Sequence, residues 1–392
     1  MLGRARHLLR PSERSDVPPF MVMDVVAAAA RLEAQGRRII HMEVGQPAVG
    51  APATAIAAAR GALATARLGY TETLGTETLR KRIALAYGEW HGIDLDPARI
   101  VVTTGSSAGF ILAFLSAFNA GDRVAVALPG YPPYRHILSA LGCEAVGIET
   151  SAATRWALTA DTLLATHRGK PVKGVIVASP ANPSGTMMTV SAMTDLIRCA
   201  EDVGITVISD EIYHGLDYAF VAESAARIAS DVIVINSFSK YFCMTGWRIG
   251  WMVVPPSLLR AVERLQQNLA ISVPTLSQIA AEAAFEGRVE LETVRRGYEE
   301  NRRILLDGLP RVGLDRFLPA DGAFYLYADI SRFSTDSFAF ATRMLEEAGV
   351  AATPGVDFDP QRGRNFLRLS YAGGAADMRE AVERIGNWLR QI

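Results

Sequence analysis

The sequence predicts an α/β fold with a second, smaller α+β unit, and three observations carry that reading. Short β-branched runs that are apolar on both faces recur through the middle of the chain. Segments of helical character separate them, so the runs belong in a mainly parallel sheet covered on both sides. The last third then changes to an alternation of long charged helix patterns with two or three strand-like runs, the signature of a different layer arrangement. At 392 residues the chain also exceeds the ~150 residues of a typical domain and has material for a sizeable core.

Taken in order, Met21–Gln35 reads as an N-terminal helix with no strand neighbour of its own, and it is assigned to the smaller unit. The strand runs are IVVTT (100–104), RVAVAL (123–128), GVIVAS (174–179), ITVIS (205–209), DVIVINS (231–237) and GWMVVP (250–255). Helix patterns fall at Thr76–Trp90, Ser106–Asn119, Thr189–Val203 and across the amphipathic region Pro256–Glu286, each bounded by Gly, Pro or a capping residue. From Arg288 a charged helix leads to GAFYLYADI, then DSFAFATRMLEEAGV, then NFLRLSYA and a final helix. The larger domain is placed at 48–286; 1–47 and 287–392 form the smaller domain with an N-terminal arm.

Lys plus Arg number 40 against 41 Asp plus Glu, the formal net charge is -1, and no five like charges run together. A nucleic-acid or anionic-membrane partner is therefore disfavoured. Hydrophobic residues make up 49%, but no apolar run approaches the ~18 residues of a membrane helix. The expectation is a soluble protein. Cys143, Cys199 and Cys243 are odd in number and lack ligand spacing, which fits neither a disulfide framework nor a metal site and suits a reducing cytoplasm. The Arg-rich start lacks an apolar signal core and reads as an arm, a transit peptide being the alternative.

Four segments carry chemistry. In SFSKYFCMTGWRIG (237–250), Lys240 stands at the C-terminal end of a buried strand, the edge at which open α/β sheets bind ligands. A lysine by itself reads as a solvated surface amine. Its neighbours favour a desolvated nucleophile: Ser237 and Arg248 suit a phosphate, and Gly246 and Gly250 allow close backbone approach. In VASPANPSGT (177–186) Asn182 offers both donor and acceptor, or marks an ordinary Asn-Pro turn. In ISDEIYHGL (208–216) Asp210 ends a hydrophobic strand, where a carboxylate is costly unless paired, and Tyr213 can face the same pocket; a helix-capping Asp with a packed Tyr is the bland reading. In VVTTGSSAGFILAFLSAF (101–118), Gly105, Ser106 and Ser107 open a helix whose free N–H groups would cradle an anion, or simply cap it.

These segments, in this order, resemble the class I/II aminotransferases of the aspartate aminotransferase family, pyridoxal-phosphate enzymes of fold type I. The resemblance spans MEVGQP (42–47), GYTETLGTETLRKRIA (69–84), PGYPPY (129–134), NPSG (182–185), SDEIY (209–213), SFSKYFCMTGWRIG (237–250), DGAFYLY (321–327) and FLRLSYA (366–372). It implies a large domain built on a mainly parallel sheet of the seven-stranded type. It implies that pyridoxal 5'-phosphate (PLP) is bound as a Schiff base by Lys240, which then moves the proton between the substrate's α-carbon and the cofactor. Asp210 would pair with the pyridine nitrogen, Asn182 and Tyr213 with the phenolic oxygen, and Tyr131 would stack on the ring. Gly105, Ser106, Ser107, Ser237 and Arg248 would hold the phosphate, joined by Tyr70 from the neighbouring subunit of a homodimer. Arg368 would take the substrate α-carboxylate, with the Gly45 backbone and Asn182 assisting.

The chain departs from the dicarboxylate members of that family. Ser107 stands where the related bacterial subgroup tends to carry Lys, and 268–278 contains no Arg. The expected reaction is transfer of an amino group from a neutral or aromatic L-amino acid, rather than strictly aspartate, to a 2-oxo acid by a ping-pong mechanism. Cations of the arm (Arg4, Arg6, Arg10, Arg14) are the alternative for a distal carboxylate. Cys243 replaces a small Gly, Ala or Ser and reads as a packing variant. A carbon-sulfur or related lyase on the same fold is the second reading. A PLP-sensing regulator is the third, disfavoured because only about forty residues precede MEVGQP.

Overall fold

The computed structural model describes residues 10–392. Its strands in chain order are β1 (Ile40–His41), β2 (Ile100–Thr103), β3 (Arg123–Leu128), β4 (Glu144–Glu149), β5 (Gly174–Ala178), β6 (Thr206–Asp210), β7 (Ile233–Ser237), β8 (Gly250–Val253), β9 (Tyr325–Asp329), β10 (Val350–Ala351), β11 (Thr353–Pro354) and β12 (Phe366–Ser370). Seven of them form one sheet in the order β2-β8-β7-β6-β5-β3-β4. All neighbours are parallel except those of β8, which runs antiparallel to both β2 and β7.

The side-chain period of two explains why the strand runs are apolar throughout. Val175, Val177, Val207 and Val234 enter one hydrophobic core, while Ile176, Ile208, Ile233 and Ile235 enter another on the opposite face. Each buried aliphatic contributes about 1.5–3 kcal/mol relative to exposure. The same register aligns the strand ends: Ala178 lies opposite Asp210 and Asp210 opposite Ile235. The loops after β5, β6 and β7 therefore open at one edge, where Asn182, Asp210 and Lys240 all emerge.

The C-terminal elements form an antiparallel sheet β11-β12-β9, in which Arg368 on β12 faces Thr353 and Tyr327. Separately, β1 pairs in parallel with β10. The helix Met21–Ala34 packs through Val25, Ala28, Ala29 and Leu32 against Ile39, Leu345 and Ala351. Among the described residues no helix is long and apolar enough to cross a membrane.

Several elements differ from the sequence reading. β4 was not anticipated, because its edge position exposes Glu144 and Glu149 and interrupts the apolar run. The single amphipathic region Pro256–Glu286 is two helices, Pro256–Leu269 and Thr275–Ala284, separated at Ile271, whose φ of 64° no helix accommodates. PGYPPY, read only as a motif, opens the helix Pro132–Ala140, since proline is suited to a first helical turn. Ala53–Thr65 and Ala160–Gly169 are further helices without a strong sequence signal.

Candidate active site

Lys240 follows β7 in a turn whose backbone continues into Cys243. Its Nζ donates to the Gly45 carbonyl at 2.5 Å and lies 5.7 Å from the centre of the Tyr213 ring. Burial lowers its pKa to about 8, with the Arg368 charge pushing the same way and Asp210 opposing. The amine thus has a substantial neutral fraction near physiological pH.

Asp210 ends β6 with its carboxylate buried. Its Oδ1 accepts from the Ile212 N–H at 3.1 Å and its Oδ2 accepts from the Tyr134 hydroxyl. The Ile212 bond closes a turn, so Asp210 starts no helix. Burial pushes this carboxyl up to about 6, while the two hydrogen bonds pull it down. Such a group seeks a positive partner.

At a second corner the helix Gly105–Ala117 begins with no side-chain cap, leaving N–H groups free for an anion. Gly105 has φ 73°, and a Cβ there would sit 2.5 Å from Arg248 Nη2. A side chain at Gly250 would meet the Ser106 nitrogen at 3.0 Å. Gly246, by contrast, has open space around it, so close approach rests on Gly105 and Gly250 alone. At a third corner Arg368 is 2% exposed. One guanidinium nitrogen donates to Asn182 Oδ1 at 2.9 Å, another to the Glu43 carbonyl and to Thr353 Oγ1, and Nε has no partner. Its guanidinium carbon lies over the rings of Tyr325, at 4.5 Å from the ring centre, and Phe358, at 4.8 Å.

These corners meet in one cavity of about 180 Å³, lined by Gly45, Ser106, Ser107, Tyr131, Asn182, Tyr213, Lys240, Arg248 and Arg368. Asp210, Gly105 and Ser237 stand behind its wall. Ser237 Oγ donates to Ser239 Oγ at 2.9 Å, and Ser239 lines the cavity. Tyr70 is not brought to this site; its side chain is 82% exposed. Arg10 and Arg14 are exposed away from the cavity, and Arg4 and Arg6 lie outside the described residues. Cys243 is buried with φ 56° and its Sγ near the Tyr241 carbonyl, the place of a packed residue.

Three further side chains belong to the site. Tyr134 holds Asp210, Tyr325 shares a hydroxyl–hydroxyl bond of 2.8 Å with Tyr213, and Ser239 lines the cavity beside Ser237. Each lies inside a quoted motif, but neither spacing nor residue type tells which tyrosine of PGYPPY or FYLY turns inward.

The family model for aminotransferases of class I and II matches residues 37–385. The chain belongs to the class I and II aminotransferases. The valine–pyruvate aminotransferase of Mycobacterium tuberculosis is 48% identical over 97% of this chain and 98% of its own. A crystal structure of an aminotransferase from the same organism superposes with a TM-score of 0.96 at 48% identity, covering 98% of this chain and 100% of that one. A crystal structure of a putative aminotransferase from Silicibacter pomeroyi gives 0.92 at 50% identity, with 98% and 100% covered. This aminotransferase is a transaminase of fold type I, and its cofactor is PLP. The donor set fits that cofactor: an uncapped helix start beside Arg248 suits a phosphate, Asp210 suits a ring nitrogen that carries a proton, and Lys240 is a desolvated amine suited to an aldehyde.

Proposed function

We propose that this aminotransferase passes the amino group of a neutral, apolar L-amino acid to a 2-oxo acid, donor and acceptor using the cavity in turn. The observation that carries the donor class is the cavity wall: Phe20, Val22, Val44 and Ile137 line it. The cations lining it, among the described residues, are Lys240, Arg248 and Arg368, all three engaged in the roles below. Among the described residues of one subunit, no cavity-lining cation remains for a second carboxylate. The likeness to a valine–pyruvate aminotransferase agrees with a branched aliphatic donor and pyruvate as acceptor.

Bound PLP supplies an electron sink that stabilises negative charge at the substrate's α-carbon. Lys240 Nζ would hold the cofactor through its aldehyde carbon and, when free, would move a proton to and from the substrate's α-carbon, helped by a pKa already lowered toward neutrality. Asp210 holds a proton on the ring nitrogen by offering a buried negative charge, and Tyr134 fixes the direction of that carboxylate. Arg248, Ser106, Ser107 and the amide groups that open Gly105–Ala117 orient the phosphate, with Gly105 and Ser237 shaping that corner. Asn182 and Tyr213, which line the cavity with Tyr131, would donate to the phenolic oxygen, and Tyr131 would cover the ring. Arg368, with Asn182 and the Gly45 backbone, orients the substrate α-carboxylate by two parallel hydrogen bonds. Tyr70, so exposed here, would reach the phosphate of a second subunit in a homodimer.

The deciding experiment follows the visible absorption of the purified holoenzyme while single amino acids are added without acceptor, with released products analysed. A stoichiometric 2-oxo acid from valine or another apolar donor, exceeding that from aspartate, is the expected result. Continuous release of ammonia or a thiol would mean a lyase. Preference for aspartate would overturn the donor assignment.

A further inference from the structure

We propose that Asp357 and Phe358 couple the substrate-carboxylate arginine to the N-terminal helix, with Asp357, held in place by Arg135, acting as a positioning residue for substrate binding. The inference rests on the reading of Arg368 given above and adds residues that reading does not use.

The helix Met21–Ala34 starts after Phe20, which supplies no side-chain cap. Its first N–H groups need an acceptor from elsewhere. That acceptor comes from 336 residues along the chain: the Met21 N–H donates to Asp357 Oδ1 at 3.4 Å. Asp357 is 4% exposed, and its Oδ2 has no partner. A carboxylate buried with an oxygen unpaired costs free energy, and the positive end of a helix is a place where its charge is of use.

The backbone around Asp357 is fixed from the other side. Arg135 donates to the Asp357 carbonyl at 2.8 Å and to the Phe358 carbonyl at 3.0 Å. The Gly130 N–H also reaches the Phe358 carbonyl, at 3.1 Å. Phe358, one residue on, presents its ring to the Arg368 guanidinium at 4.8 Å. Two consecutive residues thus touch the start of one helix and the face of one arginine. The consequence for substrate is direct, because Phe20, Val22 and Met23, at the start of that helix, line the cavity. The α-carboxylate end and the side-chain end of a bound amino acid are held by groups tied through a single backbone step.

The test uses the full-length holoenzyme with L-valine and pyruvate. Asp357→Asn keeps the shape and removes the charge. KM for both substrates should rise about tenfold, the equivalent of about 1.4 kcal/mol, with kcat within about twofold and cofactor absorption unchanged. Hydrogen exchange of residues 21–25 should quicken in the same variant, a readout that a merely structural role elsewhere would not move. Phe358→Leu, which leaves the carboxylate alone, should raise KM without changing that exchange; it decides the matter if the Asp357 variant folds poorly. Unchanged KM in these variants, while Arg368→Gln raises KM at least a hundredfold, would overturn the coupling and leave the arginine's role standing. Unchanged KM in Arg368→Gln would overturn that role and the coupling with it.

Discussion

Lys240 illustrates how burial and charge act on one atom. An amine whose pKa has fallen to about 8 is mostly protonated at pH 6 and mostly neutral at pH 9, and only the neutral form attacks an aldehyde. Reconstitution of the cofactor-free enzyme with PLP should therefore accelerate about tenfold per pH unit below 8 and level off above it, as followed by stopped-flow absorbance. A rate still climbing tenfold per unit at pH 10 would place the amine in an exposed setting instead. Lys240→Ala should abolish turnover. Asp210→Ala should slow turnover by orders of magnitude while some cofactor still binds, because it removes the charge that sustains the electron sink. Wild-type rates in either variant would contradict the assigned roles. Both residues were legible from their place at a strand end; Tyr134 and Tyr325 were not, because the direction a tyrosine points depends on the packing of elements distant in sequence.

Among the elements, the helix Gly105–Ala117 depends on a glycine that no other residue replaces well. At φ 73° and with Arg248 Nη2 in the place of a Cβ, Gly105→Ala combines left-handed strain of about 1–2 kcal/mol with displacement of the guanidinium. Cofactor affinity should fall tenfold or more, measured by equilibrium dialysis, with the fold retained by far-ultraviolet circular dichroism. The central strands were readable because each is buried on both faces and so carries an unbroken apolar run. β4 at the sheet edge, and the two-residue strands β1, β10 and β11, escape notice for the opposite reason. Their few residues satisfy no periodicity, and their pairing is imposed by the chain around them. The split of Pro256–Glu286 had a local signal in SVP (272–274), where proline removes an amide donor and forces the preceding residue toward an extended conformation.

At the scale of the molecule, Tyr70 is 82% exposed, and the role proposed for it requires a second subunit. If Tyr70 serves its partner, mixing weakened Tyr70→Phe subunits with inactive Lys240→Ala subunits should raise activity above that of the Tyr70→Phe enzyme alone, through hybrid dimers that each hold one intact site. Absence of any recovery after subunit exchange, verified by mass spectrometry, would argue for self-contained sites. The family resemblance was readable because its motifs are spread over nearly the whole chain, whereas the cavity they enclose became visible only with the fold.

Arg368 and the Glu43 carbonyl are 325 positions apart, and Lys240 meets Gly45 across 195. A pocket assembled from such distant stretches exists only once the last of them has arrived, so an unfolded or half-folded chain offers no comparable place for PLP. The cofactor then acts as a reporter and guarantor of complete folding. At a thousandfold excess over its dissociation constant it should add about 4 kcal/mol to the stability of the native state, and a truncated chain that keeps Lys240 but lacks β12 should gain none of it.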